Sequence, residues 1–331
     1  MSNSAGGRSL CNFHTSICRS FAIAFCYLCF ATSLAFAQSY PTFSGGAQAS
    51  PVQQTNVSPA AIVFGGVLRI YYTGTGGNAI WEATSTGGSG SSFPVTLIGP
   101  VADTATSSST GPAAIVYNNQ VWLAWVSSGL IYYCYSSDGI HFGTPVEWPA
   151  QLTDANNNGD AVDAPSFGVF NGNLYLAETA ATVNGFPQTA YLGVYPNSYW
   201  TYWNYSYPAQ AGSSLTVFNG QLWMAWTLQT NDADTVVLAN TSNGTNFTVS
   251  EAPLTLGGNP QLFVYNSSLY VGGRTNYNDN NLWISQYYGG SWTSGKQYGQ
   301  TLTQSPSFTV FNGTLYEIEK SCCNQDIWGY Y

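Results

Sequence analysis

Residues 154–165 read DANNNGDAVDAP. Asp154, Asn156 and Asn158 alternate, Gly159 follows, and Asp160 comes next. This is the opening of a calcium loop, in which alternate oxygens converge on one ion and the glycine permits the tight turn. Pro165 stands where such a loop carries its last glutamate, and Asp163 is the nearest substitute. The chemistry on offer is a Ca2+ ion held by Asp154, Asn156, Asn158 and Asp160. A solvated turn is the plain alternative.

Other chemistries are limited by what the chain lacks. Beyond residue 37 the only histidine is His141, so a serine or cysteine nucleophile has no second candidate base. Asp163, Glu178 and Glu319 could supply a carboxyl pair for acid–base work. Cys134, Cys322 and Cys323 form an odd set with no CxxC or Cys/His spacing, which argues against zinc. The adjacent Cys322 and Cys323 could close a vicinal disulfide, a rigid apolar plate; pairing elsewhere or staying reduced are the alternatives.

Residues 1–37 read as a secretory signal peptide. Arg8 and Arg19 precede an apolar run from Phe21 to Phe36, which ends in Ala35-Phe36-Ala37 before Gln38. The run is short for a span of about 20 residues. The expected location is therefore secreted or periplasmic, with residues 38–331 as one domain. All 15 acidic residues lie in that domain, against Arg69, Arg274, Lys296 and Lys320 alone. Such a surface cannot neutralise phosphates, so nucleic acid is excluded as a partner. Anionic lipid is disfavoured for the same reason, and no membrane association is expected after signal cleavage. With 16% aromatic residues the chain is too apolar for a disordered coil. Aromatics mixed with Gly, Asn, Ser and Thr indicate short strands joined by turns.

Any site must be positioned by a repeat. Aligned copies begin at Pro59, Pro112, Pro165, Ser213, Pro260 and Pro306, at intervals of 53, 53, 48, 47 and 46 residues. Each opens with an alternating strand, as in PSFGVF and PSFTVF. A two-residue turn follows, such as Asn171-Gly172 or Asn312-Gly313, with the residues a tight hairpin needs for positive φ. Second and third strands come next, then an aromatic (Phe93, Phe142, Trp200, Phe247, Trp292) opens a fourth. Four antiparallel strands repeated every 40 to 50 residues predict propeller blades, here an all-β six-bladed ring. The last copy stops inside its third strand at Tyr331. Residues 40–50, with Phe43 in the aromatic slot, are expected to supply the missing outer strand and close the ring.

The phrases APSFGVFNGNLYLAE and SSDGIHF resemble repeats of secreted bacterial β-propellers, among them fucose-binding propeller lectins and sialidase-like propellers. The resemblance covers nearly all of residues 38–331. It implies the fold more strongly than a function, because propellers host many functions. Arg69 and Glu82 look like the pair that grips sugar hydroxyls in a fucose-lectin repeat, but only one copy carries them. Sialidase chemistry needs several arginines on its substrate; two are present beyond the leader, so that chemistry is rejected. Six copies also do not match five-bladed glycosidases.

One position varies while its neighbours do not: the end of the second strand, occupied by Tyr72, Trp125, Glu178, Trp226, Gly273 and Glu319. A partly exposed ring of aromatics and carboxylates at the channel mouth is expected there, with Lys320 beside it. Tyr72, Trp125, Glu178, Trp226, Glu319 and Lys320 are thus the candidate glycan-binding residues; packing between blades is the alternative for the rings. The reading is a lectin-like binder of a glycan or polysaccharide, with no catalytic residue assigned. A glycoside hydrolase or lyase using Glu178 with Glu319 or Asp163 is the first alternative. A structural or protein-interaction propeller is the second.

Overall fold

The six inner hairpins share one turn chemistry. Both central residues have positive φ in every copy: Gly65 and Gly66 at 61° and 73°, Asn118 and Asn119 at 49° and 57°, Asn171 and Gly172 at 49° and 76°, Asn219 and Gly220 at 49° and 71°, Asn266 and Ser267 at 46° and 58°, Asn312 and Gly313 at 50° and 78°. That backbone twist matches the right-handed twist of the flanking strands, so each turn sets the register of its blade. Residue pairing confirms it, with Phe170 opposite Asn173 and Phe311 opposite Thr314.

The computed structural model describes residues 38–331 apart from 76–78, 104–109, 150–162, 181–188, 197–199, 204–208, 229–234, 276–279 and 322–323. The leader 1–37, the candidate calcium ligands Asp154, Asn156, Asn158 and Asp160, and the Cys322–Cys323 pair lie outside the described residues. The described chain is all-β, with six antiparallel blades of mostly four strands. Blade two, for example, runs from inner strand Ala113–Tyr117 through Gln120–Ser127 and Leu130–Ser136 to a two-residue outer strand, Val146–Glu147. Inner strands of successive blades touch around a complete circuit, including Ala60–Phe64 of blade one against Ser307–Phe311 of blade six.

Blade six draws on both ends of the described chain. Its strands Ser307–Phe311, Thr314–Lys320 and Ile327–Tyr330 are followed in space by Gly46–Ser50. The last pairing is antiparallel, with Gly46 opposite Tyr330 and Gln48 opposite Trp328. Phe43 packs edge-on against Tyr298 of blade five at 5.6 Å. Asp326 accepts hydrogen bonds from Gln48 and, at 2.9 Å, from Gln54.

A sheet of four strands has two apolar faces, and each is covered by the neighbouring blade. The core is accordingly divided among the seams. Leu68, Ile70 and Tyr72 of blade one pack on Tyr316 and Ile318 of blade six; Leu222, Met224 and Trp226 of blade four pack on Phe170, Tyr175 and Ala177 of blade three. Serine hydroxyls of inner strands tie neighbours together near the axis. Ser166, Ser214 and Ser307 accept from the backbone N–H of Leu215, Leu262 and Ala61 in the next blade, at 2.9, 2.9 and 3.0 Å.

Farther from the axis, one second-strand position reaches the third-strand turn of the next blade. Arg69 donates to the Asp138 carbonyl at 3.0 Å, the Gly88 N–H donates to the Tyr316 hydroxyl at 3.1 Å, and Trp122 meets Tyr195 at 5.1 Å between centroids. Gly139 makes the first contact possible. Its φ is +80°, and a Cβ there would sit 2.7 Å from the Arg69 guanidinium carbon. Gly172 has a similar φ of +76° with open space around it. Gly139→Ala should therefore cost clearly more stability than Gly172→Ala, about 2–4 against about 1 kcal/mol. Urea unfolding of the two variants checks this, and equal losses would refute the clash.

Candidate functional site

The mouth of the axial channel is built by the residues that lead into the inner strands. Where the six chains converge, the level just before the repeated proline carries Ser58, Gly111, Ala164, Gly212, Asn259 and Ser305. Small residues are required there because six backbones approach one axis. A Cβ on Gly212 would meet the Asn259 amide at 2.5 Å, and one on Gly111 would meet the Ser58 carbonyl at 2.2 Å. Two cavities of about 160 and 270 Å³ stack along the axis and share Ser58, Ala164, Asn259 and Ser305 in their walls. The outer one opens at the mouth and, among the described residues, is lined by two charged groups, Asp163 and Arg274, with Asn259, Gln304 and Thr303 among the polar ones.

These groups are held in place. Arg274 donates to Asn280 Oδ1 at 2.7 Å and to the Gly257 carbonyl. Asn259 Oδ1 accepts from the Gly212 N–H at 3.0 Å, and its carbonyl accepts from the Ser305 hydroxyl at 2.7 Å. Burial pushes the Asp163 carboxyl up to about 6, and the nearby Gly212 N–H opposes the shift. The Asp163 N–H donates to Glu178 Oε1 at 3.3 Å, so two carboxyl-bearing residues adjoin at this edge of the mouth. The Ser213 hydroxyl, buried in the wall of the inner cavity, has no hydrogen-bond partner among the described residues.

The candidate ring predicted from the second strand is not exposed at this mouth. Tyr72, Trp125 and Trp226 are 3%, 1% and 0% exposed, and Glu178 and Glu319 are equally buried; Lys320 is half-buried. The expectation of a partly exposed ring is overturned. The strands continue past those positions, to Thr73, Ser127, Ala180, Leu228 and Lys320, so the residues lie within sheets. Side chains alternate along a strand, and this set points into the gap toward the preceding blade. Trp125 thus packs with Tyr71 and Ile80 of blade one, and the Tyr72 hydroxyl donates to Gln53 Oε1 at 2.5 Å. Glu178 and Glu319 belong to blades on opposite sides of the ring and sit in separate seams.

Arg69 and Glu82 are likewise internal. They form a buried ion pair, 9% and 0% exposed at their side chains, neither open to sugar nor on the surface. Burial raises the Glu82 carboxyl and the Arg69 charge opposes the shift. Of the mouth residues, sequence reasoning had singled out only Asp163. Arg274, Asn259 and Gln304 were missed, although comparing copies two residues before each proline shows Val57, Thr110, Asp163, Ala211, Gly258 and Gln304, a position as variable as the one chosen.

No protein-family model matches the chain, and no curated protein matches it. Solved structures do. The phage phi92 endosialidase is 11% identical, with 84% of this chain and 68% of that one covered at a TM-score of 0.58. The GH93 α-L-arabinofuranosidase of Fusarium graminearum, in complex with arabinobiose, is 14% identical over 86% and 94% at 0.59. The fucose-specific lectin of Aleuria aurantia is 16% identical over 85% and 96% at 0.52. Identities this low show a shared propeller fold, among neighbours that include lectins and glycoside hydrolases.

Because Trp125 and Trp226 are seam residues, truncation should act on stability. Trp125→Ala and Trp226→Ala should each lose about 3–5 kcal/mol of unfolding free energy. Denaturant titration reads this directly; a loss below about 1 kcal/mol in both would mean that the rings are not part of the core.

Proposed function

We propose that the chain is an exported carbohydrate-binding propeller that seats one sugar residue of a glycan at the axial mouth. The observation that carries this reading is the mouth cavity with Asp163, Asn259, Arg274 and Gln304 in its wall. Sugar hydroxyls need both donors and acceptors held in fixed geometry. Arg274 is a donor tethered by Asn280 and Gly257, and Asp163 is an acceptor at neutral pH. A volume of about 270 Å³ lies just below the usual range for ligand clefts, roughly 300–1,000 Å³, and suits one ring better than an extended oligosaccharide. The lectins and glycoside hydrolases among the structural neighbours support a glycan partner.

Hydrolysis is the second reading, favoured by one observation. A carboxyl raised to about 6 by burial keeps its proton in mildly acid solution, as a general acid must, and Glu178 adjoins it. Binding is preferred because Glu178 is buried in a seam rather than open to the cavity.

A glycan array on the exported chain identifies the ligand. Asp163→Asn and Gln304→Ala should each lower affinity for it about tenfold or more, the scale of one charged or buried hydrogen bond, with unchanged melting behaviour for Gln304→Ala. Unchanged affinity in both variants would remove the mouth as the site and leave a scaffold or protein-interaction propeller. Release of reducing sugar from the bound glycan at pH 5, abolished by Asp163→Asn, would move the assignment from binder to hydrolase.

The 154–160 stretch precedes Asp163 in the sequence, and we propose Ca2+ as its ligand on the spacing of its oxygen-bearing residues alone. Millimolar calcium should then raise the melting temperature, since a ligand that binds only the folded state stabilises it. An unchanged melting temperature would set calcium aside.

A further inference from the structure

Glu317 and Glu319 are alternate residues of the second strand of blade six and share one face with Leu315. Leu315 packs on Phe263, Tyr270, Leu282 and Ile284 of blade five, so the two carboxyls point into the seam between these blades. They are 0% and 3% exposed. Among the described residues, neither oxygen of Glu317 has a donor, and neither does Glu319 Oε2. The two carboxyls lie close enough that the Glu319 charge adds to burial in raising Glu317, as one buried carboxylate does to another.

Among the described residues, the groups facing them offer no compensating charge. Blade five presents Tyr265, Tyr270 and Tyr298, and the N-terminal segment brings Tyr40 beside Tyr298. Tyr330 and Trp328 lie opposite Glu317 and Glu319 on the third strand of blade six. Lys296 sits over the outer Tyr298 ring at 4.9 Å, Arg274 lines the mouth cavity where Asn280 and Gly257 hold it, and Lys320 follows Glu319 with its side chain on the other face of the strand. Among the described residues no third acidic, histidine or cysteine side chain joins the pair as a metal ligand. A buried carboxyl pair without cation or donor is stable only if it keeps its protons.

We propose that this pair makes the seam between blades five and six a proton-held closure: both carboxyls stay protonated in the closed ring, and loss of those protons loosens blade six. The place fits such a device. Blade six alone is assembled from the two ends of the described domain, so it can loosen without breaking the chain elsewhere. Burial places the Glu319 carboxyl near 8, and burial together with Glu319 places Glu317 well above the usual carboxylate range. Raised folded-state values mean that this contribution is complete below the unfolded value of about 4.5 and drains away as pH rises toward about 8.

The test is urea unfolding of the wild-type chain and of Glu317→Gln/Glu319→Gln at pH 5, 7 and 9. Asp163 and Glu82 also titrate upward-shifted, so the difference between the proteins isolates the pair. The wild type should lose about tenfold in its folding constant per pH unit for each proton held, and the variant should lack that slope and be the more stable at pH 9. Hydrogen exchange at pH 9, corrected for intrinsic rate, should rise first in residues 46–50 and 314–330. If the double variant does not fold, the infrared carbonyl band of a protonated carboxyl in the wild type, present at pH 7 and lost as pH rises, replaces it. Equal pH slopes, exchange spread evenly over the ring, no protonated carboxyl at pH 7, or a stoichiometric metal that purifies with the chain would each overturn the proposal.

Discussion

Each blade has no partner for its faces except another blade, so nearly all apolar burial resides in six seams. The contact that recurs from seam to seam is the reach of a second-strand side chain to the next blade's third-strand turn. Arg69 does this with a guanidinium, Trp122 and Trp223 with indoles set edge-on and tilted against Tyr195 and Tyr287, and Tyr316 with a hydroxyl. Tyr175 meets Gly244 so closely that a Cβ there would lie 2.6 Å from its hydroxyl. The chemistry of the reach differs while its geometry is kept. The geometry then fixes where the remaining elements can go: inner strands close on the axis, and outer strands are left to vary in length.

Seam burial also explains how a chain with so few charges places them. A charge inside a seam needs a partner, since desolvation is costly. Arg69 supplies one for Glu82, and Gln48 and Gln54 satisfy Asp326. Asp138 stays outside, where the amides of Ile140 and His141 and the His141 ring bond its carboxylate and hold it well below the usual range. Glu317 and Glu319 are the departure from this pattern, and protonation is the remaining way to bury them.

The architecture was legible because turn chemistry and strand phase repeat. Six pairs of Asn, Gly or Ser at hairpin positions, each followed by a second strand, left little freedom in blade number. The site was less legible for a reason of phase. Tyr72, Trp125 and Trp226 stand one or two residues before the end of their strands, where a side chain enters the neighbouring seam. A shift of that size exchanges lining for packing. Composition could not correct it, because aromatic rings suit a sugar platform and a blade seam equally well. Arg69 and Glu82 misled for the same reason: their residue types match a sugar-gripping pair, and only tertiary position shows the guanidinium turned into blade two.

The mouth is where the copies part company, and the way they do so bears on stoichiometry. A propeller that used every seam as a binding site would repeat one set of polar side chains six times. Here the two residues preceding the proline are Val57 and Ser58 in blade one and Thr110 and Gly111 in blade two, but Asp163 in blade three, Asn259 in blade five and Gln304 in blade six. Arg274, also from blade five, is the one cation of this lining among the described residues. The charged and amide side chains are therefore gathered on blades three, five and six around the outer axial cavity, while blades one and two supply Val57, Ser58, Thr110 and Gly111. An asymmetric lining of this kind gives a ligand one orientation, where a symmetric ring would offer six equivalent ones. On the proposed reading of the mouth as a glycan site, the arrangement argues for one axial site per chain, and for recognition by hydrogen bonds rather than by the aromatic stacking that the tryptophans first suggested.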